Sequence, residues 1–240
     1  MIGVVVPAHN EQDCLDACLR ALRRSAVDPA LAGEAVVIQV VLDACDDGSL
    51  AVVARHQAAA RRGGSRAGRV SVLQVARRNV GAARAAGADI LLAGGARWLA
   101  FTDADTRVAP GWLAAQLSLG ADAVCGSIAV DDWSPHAQQA AQLREHFART
   151  YNDADGHRHI HGANLGVSAA AYLRAGGFQP LACSEDVALV ASLQHSGAHI
   201  AWSAAPRVLT SARRDARARG GFGDTLLAVL TVSALPNGAL

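Results

Sequence analysis

The chain has 240 residues, enough for one large domain or two small ones with a real core. Apolar residues make up 51% and charged residues 18%, which excludes a disordered chain. The formal net charge of +1 gives no global attraction to nucleic acid or to an anionic membrane, so any anion site must come from local arrangement.

The predicted elements alternate. "IGVVVP" (2–7) is a continuous apolar run of strand length stopped by Pro7. The segment after it puts Leu15, Cys18, Leu19 and Leu22 on one helical face, with Asn10 as the expected N-cap and Asp13 three residues on. "AVVIQVVL" (35–42) reads as a second strand, and 50–62 as an alanine-rich helix ended by Gly63-Gly64. A strand at 69–75, a helix at 80–94, a strand at 97–102, a helix at 110–119 and a strand at 121–130 follow. From about residue 131 the rhythm changes to a polar helix (134–153), a histidine-rich segment, glycine-rich turns and another helix. Repeated β-α-β units with apolar strands predict an α/β fold, a mainly parallel central sheet flanked by helices on both faces. In such sheets the ligand sits beyond the carboxyl ends of the strands.

Five cysteines (Cys14, Cys18, Cys45, Cys125, Cys183) form no CxxC pair and their number is odd, which reads as small structural residues in a reducing cytosol. The apolar N-terminus is too short for a signal peptide and lacks a basic leader. The tail "TLLAVLTVSAL" falls short of the ~20 apolar residues that span a bilayer. A cytoplasmic protein without a transmembrane segment is expected, its tail a buried or an interfacial helix that leaves peripheral membrane contact open.

Four polar clusters fall at strand ends: His9, Asn10 and Glu11; Asp43, Asp46 and Asp47; Arg77, Arg78, Asn79 and Arg84 around Gly81; and Asp103 and Asp105 in "FTDADT". On the doubly wound reading they converge on one crevice. Asp43 and Asp103 suit a base N–H and ribose hydroxyls, and Arg78 and Arg84, near a helix start, suit phosphate oxygens. Asp103 and Asp105 could gather Mg²⁺ or Mn²⁺, which takes one or two carboxylates plus phosphates and waters. The plain reading of each cluster alone is a turn or a helix cap, Asp47 before Gly48-Ser49 above all. Glu185-Asp186 opens an apolar-periodic helix, where acids favour the helix dipole by ~0.3–1 kcal/mol.

Taken in order, "VVVPAHNE", "VLDACDDGS", "RNVGAARAAG", "FTDADT", "HGANLGVSAAAYLRAGGF", "SEDVALV" and "VLTSARRDARARGGF", spread over residues 2 to 222, resemble the inverting family-2 glycosyltransferases of the GT-A fold. The resemblance implies a GT-A-type nucleotide-diphospho-sugar transferase fold and metal-assisted transfer of a sugar, from a UDP- or GDP-sugar to a hydroxyl acceptor, with inversion. It implies a single domain, 1–240, with a nucleotide-sugar half (1–130) and an acceptor and catalytic-base half (131–240). Asp186 then corresponds to the general base and Glu185 to its neighbour. Asp105, in the DXD motif, is the direct ligand of Mn²⁺ or Mg²⁺, and Asp103 the ribose and metal-side acid. Donor binding falls to Pro7, His9, Glu11, Asp43, Arg78, Arg84, Asp103, His161, Gly162 and Asn164. It also falls to Arg213, Arg217 and Arg219 in a loop that closes over the diphosphate. Several family members supply a late histidine to the metal; this chain has Thr210-Ser211 in that neighbourhood, which leaves the third protein ligand open, with water one candidate for the position.

"GHRHIHG" sets His157, His159 and His161 on one side of an extended segment, a candidate Zn²⁺ or Ni²⁺ site, though spacing of two in one strand closes a tetrahedral site poorly. The other reading puts His161 in the sugar or acceptor pocket and leaves His157 and His159 solvated or against acceptor. The arginines of 213–219 have a nucleic-acid reading that scarce aromatics disfavour. The alternatives in function are a nucleotidyltransferase, which would want a glycine-rich basic loop where "PAHNEQD" is acidic, and a non-catalytic nucleotide-sugar binding module.

Overall fold

The computed structural model describes residues 1–62, 68–214 and 223. Strands β1 (Ile2–Ala8), β2 (Val36–Asp43), β3 (Arg69–Val75) and β4 (Trp98–Phe101) are parallel and ordered β3-β2-β1-β4. The sheet continues through β7 (Leu165–Ser168), β6 (Ala123–Gly126) and β8 (Ile200–Ser203), seven strands in all, with β7 antiparallel to both neighbours. Helices α1 (Leu15–Ser25), α2 (Ser49–Arg62) and α4 (Trp112–Ser118) supply one buried cluster, with Ile2, Val4, Val6, Ile38 and Val40 beneath them. Helices α3 (Val80–Ala93), α6 (Ala169–Arg174) and α7 (Glu185–His195) supply a second, over Val5, Val41, Leu99 and Phe101. Because both faces are covered, the central strands are apolar on both sides and read as unbroken runs.

Two further strands, β5 (Arg107–Val108) and β9 (Val208–Leu209), pair in a small antiparallel ribbon to which Ala129 adds a bridge. That ribbon explains why the strand expected over 121–130 stops at Gly126: the chain leaves the large sheet to join the small one. The helix expected over 134–153 is α5 (Ala140–Thr150) preceded by a 3₁₀ turn (Ser134–Gln139), the two separated where Ala137 takes φ 48°. Asn10 does not cap α1, which starts at Leu15. It lies at φ 55° and ties the loop after β1 to the loop after β2: its amide donates to Asp46 Oδ1 (2.6 Å) and accepts from the Asp46 N–H (3.0 Å). Asp47 serves as a cap, accepting from Ser49 N–H (2.9 Å) and Gln12 N–H (3.0 Å). The expected Gly63-Gly64 stop and the apolar tail lie outside the described residues. Among the described residues no helix is long and apolar enough to cross a membrane.

Candidate active site

The carboxyl ends of β1, β2 and β4, the start of α7, helix α5 and the segment 159–163 surround one cavity of about 780 Å³. Pro7, His9, Glu11, Asp43, Arg78, Arg84, Asp103, Asp105, His161, Gly162, Glu185, Asp186 and Arg213 all line it. Residues 180 positions apart in sequence are thus brought together because β1 and β4 are neighbours in the sheet and α7 packs beside α3.

Asp43 ends β2 and is buried, accepting from the backbone N–H groups of Arg77 (2.6 Å), Arg78 (2.9 Å) and Asn79 (2.9 Å). Three converging donors around one carboxylate explain why Arg78 tolerates φ 47°, an arrangement costly without such a partner. Of roughly four acceptor sites on a carboxylate, this leaves one for the cavity. His9 Nδ1 donates to the Asp43 carbonyl (2.7 Å). Arg78 lines the cavity with no ion-pair partner among the described residues. Asn79 caps α3, accepting from Ala82 N–H (2.8 Å). The next turn holds Gly81, where a Cβ would stand 2.2 Å from the Gln179 carbonyl; only glycine lets the 179–181 loop lie across the helix start.

Arg84, on α3, is buried and forks between two acids, donating to Glu185 Oε1 (2.5 Å) and Asp103 Oδ1 (2.5 Å), its guanidinium over the Phe178 ring. Burial pushes the Glu185 carboxyl up, the Arg84 charge opposes that, and Asp186 and Asp103 add to it. Gly162 is required here: a Cβ would stand 1.8 Å from Arg84 Nη1. Its N–H donates to Asp186 Oδ2 (2.7 Å), and Val187 N–H donates to Oδ1 (2.8 Å), so Asp186 is held at the cavity wall by two backbone bonds while Glu185 is spent on Arg84.

Arg213 forks onto Glu11 (2.5 and 2.7 Å) and also meets Asp105 Oδ2 (3.2 Å). Burial raises Asp105 from 3.8 to about 7, against Arg213 and with help from Asp103 and Glu11. Four carboxylates at the cavity, Glu11, Asp105, Asp103 and Glu185, therefore share two guanidinium groups, those of Arg213 and Arg84. Among the described residues no group of three or more His, Cys, Asp or Glu is arranged to hold a metal alone. The Asp103–Asp105 pair fits instead a hard divalent cation that takes phosphate oxygens and water in its other positions, not a closed protein cage. Thr210, in the neighbourhood where several family members have a late histidine, bonds Thr106 Oγ1 (3.0 Å), and Ser211 Oγ accepts from Arg213 N–H (3.2 Å).

Asn164 is placed elsewhere. It is fully buried and absent from the cavity lining; its amide accepts from Trp112 Nε1 (2.8 Å) and donates to the Ser127 (2.7 Å) and Pro206 (2.8 Å) carbonyls. With both amide hydrogens and one oxygen lone pair used, it braces β6, β7 and α4 away from the cavity wall. Arg217 and Arg219 lie outside the described residues.

The three histidines do not converge on a metal. Their segment forms no strand, and their rings stack, His157 on His159 (5.4 Å, 22°) and His159 on His161 (5.9 Å, 26°), with His159 also on Tyr151 (4.1 Å, 10°). Ring nitrogens bond in the ring plane, and several already have partners: His157 Nδ1 accepts from His159 N–H (3.2 Å), His159 Nε2 from Asn152 N–H (3.2 Å), and His161 Nε2 meets the Tyr151 hydroxyl (2.9 Å). His157 is buried, not solvated. Sequence reasoning missed Phe147, Thr150 and Tyr151, which line the cavity. The available signal was the four-residue spacing of Phe147 and Tyr151, which puts both on one face of the helix expected over 134–153; Tyr151 in fact closes the end of α5 in an extended conformation.

An open α/β sheet with acids at its carboxyl edge and a cavity of this size defines a nucleotide-site architecture. The family model for "Glycosyl transferase family 2" matches residues 3–174, and the chain belongs to that family. No curated protein matches the sequence. Among solved structures, S. aureus TarS 1–349 in complex with UDP shares 14% identity at TM-score 0.61, over 86% of this chain and 59% of that one. The mannosyltransferase PcManGT from Pyrobaculum calidifontis, in complex with GDP-Man and Mn²⁺, shares 19% at 0.57, over 85% and 57%. Glucosyl-3-phosphoglycerate synthase from Mycobacterium tuberculosis, in complex with Mn²⁺, UDP and glucosyl-3-phosphoglycerate, shares 16% at 0.54, over 89% and 72%. The fold is that of the GT-A glycosyltransferases. The chain spans less than two thirds of the length of the first and second of these.

Proposed function

We propose that this protein transfers a sugar from a UDP- or GDP-sugar to a hydroxyl acceptor, with inversion at the anomeric carbon and with a divalent cation. The observation that carries this reading is that Asp186 and the Asp103–Asp105 pair line a single cavity of about 780 Å³, within the ~300–1,000 Å³ range of ligand sites. Mn²⁺ or Mg²⁺, held by Asp105 and Asp103, would neutralise charge on the diphosphate; the Mn²⁺ of the two relatives above supports this. Among the described residues Arg78, lining the cavity without an ion pair, is the arginine most available for phosphate. The acceptor enters on the side of α5 and α7, so residues 131–214 supply its surface and the first 130 residues hold the nucleotide.

The acceptor hydroxyl gives its proton to Asp186, which Gly162 and Val187 N–H groups aim at the cavity. The new oxygen–carbon bond forms as the bond from the anomeric carbon to the diphosphate breaks, and the nucleotide diphosphate leaves with the electron pair. A positioned carboxylate base contributes ~10²–10⁴-fold to such a step.

Thermal-shift titration of UDP and GDP with and without Mn²⁺ identifies the base, since a ligand that binds the folded state raises apparent stability. A donor panel then reads the reaction. Released nucleotide diphosphate and an inverted anomer support the proposal; pyrophosphate released when a nucleoside triphosphate and a sugar phosphate are supplied instead means nucleotidyl transfer, and binding without turnover means a binding module. Turnover unaffected by EDTA would remove the cation.

A further inference from the structure

The cavity holds a hydrogen-bond relay whose polarity is set by counting protons. The backbone N–H of Ile128 donates to the Tyr151 hydroxyl oxygen (2.8 Å), and that hydroxyl lies 2.9 Å from His161 Nε2. Tyrosine carries one O–H, and burial pushes it up to about 12, so it stays protonated. With its oxygen already accepting from Ile128, the O–H is satisfied by donating to a bare Nε2; no other acceptor for it lies among the described residues. His161 is held down at about 4, by burial first and by His159 and His157 next, so the ring is neutral and its single proton sits on Nδ1. Nδ1 has no protein partner among the described residues, and His161 lines the cavity.

The place of this N–H is defined by its neighbours. Gly162, next in the chain, donates to Asp186 on one side and packs on Arg84, which carries Asp103, on the other. On the proposed reading the transferred sugar lies between Asp186 and the diphosphate, and so beside this histidine. We propose that Tyr151 fixes His161 as the Nδ1–H tautomer and that this N–H donates to an oxygen of the transferred sugar, so His161 selects the sugar and Tyr151 is its positioning residue. The inference rests on the nucleotide-sugar reading above and deepens it. A neutral donor favours a hydroxyl or acetamido oxygen and offers no charge to a uronic acid.

Two measurements test it. Long-range ¹⁵N spectra of the free protein read the tautomer directly: His161 is expected protonated at Nδ1, and Tyr151→Phe, which keeps the ring stack, is expected to move the proton wholly or partly to Nε2. An Nε2–H ring in the wild type, or an unchanged spectrum in Tyr151→Phe, overturns the lock. Calorimetry with UDP against UDP-glucose, or GDP against GDP-mannose, whichever nucleotide binds, reads the contact. Asparagine places its amide N–H near Nδ1 and glutamine near Nε2. His161→Gln is expected to weaken the sugar nucleotide about tenfold with no change for the bare nucleotide, and His161→Asn to retain most of the affinity. Equal losses in both variants, a loss shared by the bare nucleotide, or tighter binding of UDP-glucuronic acid than of UDP-glucose overturns the sugar contact. If neither UDP nor GDP binds the wild type, the donor reading falls and the sugar contact with it, while the spectra still decide the lock.

Discussion

Arg84→Met removes one guanidinium and leaves two acids without their cation, and the two are not equivalent. The Asp103 side chain is 37% exposed and keeps water, whereas that of Glu185 is 7% exposed and does not. Removing one partner of a buried pair costs ~3–5 kcal/mol, because the survivor is an uncompensated charge. In a domain of this size that corresponds to a fall of about 10 °C in the unfolding midpoint. The pH dependence has a sign. Glu185 already holds its proton more firmly folded than unfolded, since burial raises it while Arg84 opposes; without Arg84 it rises further. A carboxyl raised by folding adds stability at low pH and loses it as pH climbs from the ordinary carboxylate range through its folded value. The deficit of Arg84→Met should therefore be largest near pH 8 and shrink toward pH 5. Urea or thermal unfolding across that range measures it, with Arg84→Lys, which keeps the charge but not the fork, falling between. A Met variant with the wild-type midpoint at pH 8, or a deficit that does not change with pH, would refute the argument that Glu185 depends on Arg84.

Asp186→Asn should lower turnover by ~10²–10⁴-fold while nucleotide affinity by calorimetry stays within error; comparable activity would remove it as the base. Asp105, raised from 3.8 to about 7, is a carboxyl that loses stability as pH rises through that window, so Asp105→Asn should unfold later than wild type at pH 8 and equally at pH 4. The same variant should lose Mn²⁺-dependent nucleotide binding, and unchanged affinity would contradict its place as a ligand. Asn164→Ala strands the Trp112 indole N–H and two buried carbonyls, at ~1–3 kcal/mol for each unsatisfied group, so it should cost several degrees of midpoint with little change in nucleotide affinity; the reverse pattern would make it a binding residue.

Much of this protein is written locally. The apolar runs at 2–7 and 35–42 have strand length and β-branched composition, which favours covered strands, and the acids and arginines that follow each strand had to appear at one edge once the strands were parallel. Where a side chain spends itself was decided in three dimensions. Nothing near Asn164 in sequence distinguishes it from Gly162, yet one is locked among Trp112, Ser127 and Pro206 and the other lets Arg84 pass. Three histidines at alternate positions allow a shared ligand on paper, but without a strand their rings stack, His157 and His159 bond the backbone, and His161 meets the Tyr151 hydroxyl. The strand β7, four residues inside a glycine-rich segment, carried too little periodicity to be read, and it is set by pairing with β4 and β6. Residue order dictated which chemical groups gather at the sheet edge, because apolar patterning acts over a few residues. Which of them bond one another and which stay available to a ligand depends on contacts a hundred residues apart, and those exist only once the chain is packed.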